Sequence, residues 1–288
     1  MTPASKTEPD RASEPALPPA VARGMWWVCG VIAALSLAVL LGGYFLAARF
    51  TGSHYGTLFF LITSLLWVAG VSAPLAASSP RAFGSLLRAA TVCDSAAVAL
   101  LVVALHAERG DGTAMITVSA ALQIYAVYVA IALLSAAAVC VGRCHAARRA
   151  AATAAAVGLL ALLASPFWTR GLLLWEARGG PLPGVSIKRE VLAWNPFYSA
   201  TAAVAGRMGF AWHMEGLLYR LGLTPLGDTI APPPSTWYAA PLRLAGVAVL
   251  LGGVAVWRRR RSAAGAFSPA PEAPPAPRRM TARPGRGG

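Results

Sequence analysis

The sequence predicts an all-α, polytopic membrane protein with six transmembrane helices and an external helical loop between the fifth and the sixth. Three observations predict it. Hydrophobic residues make up 57% of the 288 and charged residues only 12%, about half the charge of an ordinary soluble domain. The charges are bunched, leaving apolar runs of about 20 residues, the length a helix needs to cross hydrocarbon with every backbone group satisfied internally. One stretch, 169–238, breaks this rhythm with turn residues and amphipathic patterning.

Residues 1–24 mix Pro, Ala, Glu, Lys and Arg without apolar periodicity and read as a disordered cytoplasmic tail. Met25 to Ala48 is too long for the apolar core of a signal peptide and reads as an uncleaved first span, with Trp26 and Trp27 at the interface. Further spans are predicted at 57–77, 89–106, 113–141 and 151–168, so that 25–168 holds five. The fourth is long enough that it should tilt or protrude. The fifth is short and Ala-rich, which suits close helix packing. Segment 239–261 holds the sixth span, about 239–257, and its basic anchor; 262–288 is a Pro- and Arg-rich tail.

Basic residues orient the chain. Lys6, Arg11 and Arg23, then Arg81 and Arg88, then Arg143, Arg148 and Arg149, then Arg258 to Arg261 fall on one side. The opposite short loops carry Arg49, and Arg109 offset by Glu108 and Asp111. The positive-inside rule therefore places both termini in the cytoplasm and 169–238 outside. In that segment Pro181 and Pro183 mark a turn, Asn195 is placed to cap a helix that opens at Pro196, and Phe210–Leu221 reads as an amphipathic helix. His213 and Glu215 lie on its polar side, as on any surface helix. Pro232 to Pro234 then break the chain ahead of Trp237 and Tyr238.

Few residues suggest chemistry. Asp94 is the carboxylate inside a predicted span, about a turn and a half from its cytoplasmic end. It is either a structural residue serving the helix start or part of a pathway. Gln123, near Tyr125 and Tyr128, is placed for an interhelical hydrogen bond or for lining a pathway. Gly70-Val71-Ser72-Ala73 faintly resembles a membrane serine nucleophile, but His54, His106, His145 and His213 all fall in loops or near span ends. The four cysteines read as small apolar filler. No HExxH and no GxxxxGK[ST] occurs, so neither a metal, a cofactor nor an enzymatic activity is expected. The net charge of +14 lies at span ends and in the tail, where anionic lipid is the expected partner and nucleic acid is not.

Trp194-Asn195-Pro196-Phe197-Tyr198, with Pro181, Pro183, Pro234, Trp237 and Arg258 to Arg261 around it, resembles the permease subunit of ABC exporters of the second type, best over 155–261. In that family an Asn-Pro motif on external helices stands between the fifth and sixth spans. Residues 1–24 depart from it, because the family usually has an interfacial helix there. The resemblance implies an inner-membrane permease of a bacterial transporter that exports a substrate with a separate ATP-binding-cassette ATPase, and a homodimeric pathway. Loop 78–88 or loop 142–150, the latter with Arg143, Arg148 and Arg149, would contact the ATPase. The alternative is a non-catalytic membrane scaffold or assembly factor whose external segment binds a partner; an intramembrane enzyme is a distant third.

Overall fold

The computed structural model describes residues 19–111, 116–168, 172, 175, 187–204 and 237–266. Among these the ordered elements are all helices: α1 Pro19–Thr51, α2 Ser53–Ala77, α3 Ala82–Asp111, α4 Val118–Val141, α5 His145–Leu163, α6 Ser165–Trp168, α7 Ile187–Trp194, α8 Pro196–Ala202 and α9 Ala239–Ala266. Six of them, α1 to α5 and α9, are long and apolar enough to cross a membrane. The chain is a multi-pass membrane protein. The proposed amphipathic helix Phe210–Leu221, with His213 and Glu215, and the tails 1–18 and 267–288 lie outside the described residues.

α2 and α4 form the centre. α2 packs on α1, α3, α4 and α5, while α4 packs on α2, α3, α5 and α9. Between them they bury Phe60, Leu61, Leu65, Val68, Ile124, Tyr128 and Ile131. In lipid no hydrophobic force separates these faces from the tails, so close packing and polar cross-links hold them. The Ser64 and Tyr128 hydroxyls bond at 2.6 Å between α2 and α4. Trp67 Nε1 donates to Ser36 Oγ at 3.1 Å between α2 and α1. The Tyr44 hydroxyl meets His106 Nδ1 at 3.0 Å, tying α1 to α3, with Phe45 edge-on to the imidazole at 5.1 Å.

Turn chemistry explains where the helices begin and end. α1 and α2 are separated by Gly52, whose φ of 85° suits a residue without Cβ. Between α4 and α5, a Cβ on Gly142 would lie 2.6 Å from the Arg148 backbone nitrogen, so only glycine fits.

Several predicted boundaries are corrected. α1 starts at Pro19, so the end of the expected tail is helical. α3 starts at Ala82 rather than 89. The fourth span is shorter than expected, though at about 36 Å still longer than a ~30 Å core: Thr117 accepts from the Ala120 N–H at 3.1 Å and starts a 24-residue helix at Val118. The fifth is displaced towards its N-terminus. Cys144 caps it through Sγ, 3.5 Å from the Ala147 nitrogen, and it ends before Pro166. Arg148 and Arg149 therefore sit in the first turns of α5, not in a loop. Arg258 to Arg261 likewise continue α9 instead of following it.

Candidate functional site

Three polar constellations stand out from the apolar bundle: one at each end and one midway.

At the end opposite Arg143, Arg148 and Arg149, α8 is wedged among α2, α4, α5 and α9. All but one of its residues, Phe197, are buried. Asn195 holds it there. This side chain is fully buried, and it serves two helices at once. Its Nδ2 donates to the Leu162 carbonyl at 2.8 Å, the Leu163 carbonyl at 3.1 Å and Ser165 Oγ at 2.9 Å. Those carbonyls belong to the last turn of α5, where the regular intrahelical donors run out and the Ala164 N–H reaches only Leu160 and Leu162. Its Oδ1 accepts from the Phe197 and Tyr198 N–H groups at 2.8 and 3.3 Å, capping the start of α8 as the sequence predicts. Pro196, whose missing N–H is no loss at this position, opens the helix.

The other end of the wedge is tied to the last span. Ser199 Oγ accepts from the Ala240 backbone N–H at 3.3 Å. Beside it, Arg243 on α9 grips Glu190 on α7 at 2.6 Å and lies 5.1 Å over the Trp194 ring. Tyr198 is almost wholly enclosed, and burial pushes its phenol above the ordinary value. α5, α8 and α9 are thus welded together at this end.

At the basic end, the arginines divide into two kinds. Arg148 reaches inward: Nη1 donates to the Pro80 carbonyl at 2.5 Å and Nη2 to Ser85 Oγ at 2.6 Å. It props the α2–α3 turn against the start of α5, and Arg88 adds a bond to Ser78 Oγ. Arg143 reaches the Arg258 carbonyl at 3.3 Å, joining the α4–α5 turn to α9. Arg149 instead faces a cleft of about 420 Å³ with His145, Ser78, Thr153 and Pro74. Among the described residues this end holds no carboxylate. The net effect is a preorganised cationic surface with Arg149 exposed on it, while Arg148, expected as a contact residue, is a strut.

Midway, Asp94 is not near a helix end as expected. Because α3 starts at Ala82 and its apolar window runs to Ala107, Asp94 stands at the middle of the span. At a rise of ~1.5 Å per residue it is about 18 Å from either end. It lies on the outer face of the bundle, and the Tyr125 hydroxyl of α4 donates to its Oδ1 at 2.9 Å. A carboxylate facing lipid at this depth costs about 2.5–3.5 kcal/mol even by the mildest scale. An aspartate is too short to snorkel across the remaining half of the bilayer. Among the described residues Gln123 makes no interhelical bond; its Nε2 is 3.5 Å from Ser119 Oγ of its own helix.

Ser72 is buried on α2 and its hydroxyl has no hydrogen-bond partner among the described residues. His106 bonds Tyr44 at the far end and His145 lies at the basic end, so neither reaches Ser72 as a base. The Tyr125–Asp94 and Tyr44–His106 pairs escaped sequence reasoning because each depends on the register of two helices. No family model, no curated protein and no solved structure matches the chain.

Proposed function

We propose that the chain is the permease subunit of a transporter powered by a separate ATP-binding-cassette subunit, in a bacterial inner membrane with its basic end in the cytoplasm. The observation that carries this reading is the Asn195–Pro196 helix, wedged between the fifth and sixth spans at the end opposite Arg143, Arg148 and Arg149. That is the arrangement the family resemblance implies. The basic residues support the orientation, since Arg81, Arg88, Arg143, Arg148, Arg149 and Arg258 to Arg261 all lie at one end.

The geometry suggests how force would travel. α5 is a straight path of 19 residues, about 28 Å, from the cationic surface to the α8 wedge. An ATPase pushing on His145 and Arg149 at its start would move the wedge, because Asn195 couples the far end of α5 rigidly to α8. α5 is also the least enclosed span, with Val157, Gly158 and Leu160 on its outer face. A second copy packing there would complete a pathway with two alternative arrangements. The wedges of the two copies would close its outer mouth.

The test is charge reversal at the surface that is free to dock. Arg81→Glu with Arg149→Glu, both exposed at this end, should reduce co-purification of the cassette subunit in mild detergent. Each exposed charge pair is worth only about 0–1 kcal/mol, so the pair of changes is needed. Arg148→Glu is unsuitable, since it would break the α2–α3 turn. Recovery of the intact wild-type chain with no ATPase, across several mild detergents, would favour the scaffold reading, in which 169–238 binds a partner outside the cell.

A further inference from the structure

Asp94 poses a question that the bundle itself does not answer. Its Oδ1 is matched by Tyr125, but among the described residues nothing partners its second oxygen. The nearest cation along α3, Arg88, is committed to Ser78. The other described arginines and lysines lie at the ends of the spans or outside them. Around Asp94 the surface is apolar: Val98 and Leu101 follow on the same face of α3, and Leu122 flanks Tyr125 on α4, all of them exposed. A buried or lipid-facing carboxylate wants a positive charge or hydrogen-bond donors. It stands about 18 Å from either end of the span by the ~1.5 Å rise and on the outer face of the bundle, so a ligand would approach it sideways.

We propose that Asp94 and Tyr125 form a binding site, open sideways to the bilayer, for an amphiphilic organic cation. The carboxylate would supply the counter-charge. The Tyr125 ring would add a cation–π contact and its hydroxyl would hold the carboxylate in place. Val98, Leu101 and Leu122 would take the apolar body of the ligand. A second copy of the chain is a poorer occupant, because two-fold apposition of this face brings carboxylate to carboxylate. That the cation binds is independent of the permease reading; that it is the exported cargo rests on it.

The test uses the full chain in nanodiscs of zwitterionic lipid, with tetraphenylphosphonium as probe and tetraphenylborate, of the same shape and opposite charge, as control. Asp94→Asn keeps an acceptor for Tyr125 and should leave the bundle folded, which thermal unfolding checks. Wild type should bind the cation saturably above empty discs. Asp94→Asn should weaken binding by about tenfold or more, since a desolvated charge pair is lost. Asp94→Glu should retain it, and Tyr125→Phe should weaken it by about threefold. Equal binding by wild type and Asp94→Asn, or equal binding of the two probes, overturns the proposal. So does a change of oligomeric state on Asp94→Asn without any probe binding, which would assign Asp94 to a helix–helix contact. Binding without recovery of an ATPase would sustain the site and remove the permease reading; an ATPase partner without binding would do the reverse.

Discussion

Asn195→Asp is the most searching single change, because it alters one atom's hydrogen-bonding sense and almost nothing in shape. Oδ1 would still accept from the Phe197 and Tyr198 N–H groups. The former amide nitrogen becomes an oxygen facing the Leu162 and Leu163 carbonyls, at 2.8 and 3.1 Å in the native arrangement. Two acceptors there lose their donor, and each unsatisfied buried group costs about 1–3 kcal/mol. The new carboxylate must also be buried without a cation. The wedge should therefore loosen by about 3 kcal/mol or more, which raises its open population by roughly a hundredfold. Asn195→Ala removes the cap and leaves the same carbonyls orphaned, at about 2–4 kcal/mol. Ser165→Ala should be mild, near 1 kcal/mol, since Nδ2 keeps both carbonyls. The assay is the labelling rate of Ser199→Cys, a buried position on α8, in a background free of other cysteines. Wild-type labelling in the Asn195→Asp background would refute the dual-cap account.

Other outcomes follow from the same contacts. Arg148→Ala removes charged hydrogen bonds to Pro80 and Ser85 and should lower stability in detergent by about 1.5–3 kcal/mol, whereas Arg149→Ala should stay within about 0.5 kcal/mol; thermal unfolding compares them. Gly142→Ala would drive a methyl into the Arg148 backbone and should destabilise by about 1–3 kcal/mol, while Gly158→Ala, with open space around it, should be neutral or gain up to about 1 kcal/mol of helix propensity. Ser64→Ala and Tyr128→Phe should each cost about 0.6 kcal/mol and be strongly non-additive, because they remove the same bond. Single cysteines at Ser53, Gly112 and Ser235 should react with an impermeant thiol reagent in intact cells and one at Ser262 should not; the reverse pattern would invert the orientation.

What the sequence made legible follows from the range of the forces involved. Lipid exposure demands long apolar runs, so the six spans and the all-helical class can be read directly. The Asn195–Pro196 start was legible too, because capping is settled within four residues. Boundaries were harder. Hydropathy does not register that Thr117 offers a better start than the apolar residues before it, or that Cys144 can begin a helix carrying Arg148 and Arg149 into the interface. The middle of the bundle was least legible. Hydropathy places Asp94 close to a helix end because it misses the first seven residues of α3, and its partner Tyr125 is fixed by the antiparallel register of α3 and α4. The reach of Asn195 back to Leu162 and Leu163 spans more than 30 residues and has no local signature.

The central claim, a permease driven by a separate ATPase, is tested most directly by ATP hydrolysis. The chain would be reconstituted in nanodiscs with an ATP-binding-cassette subunit recovered with it in mild detergent, and the rate compared with that subunit alone. The account predicts an assembled complex whose rate differs several-fold from that of the free subunit. It also predicts that Arg81→Glu with Arg149→Glu returns the rate towards the free value. An ATPase that neither assembles with the chain nor changes its rate in its presence would contradict it.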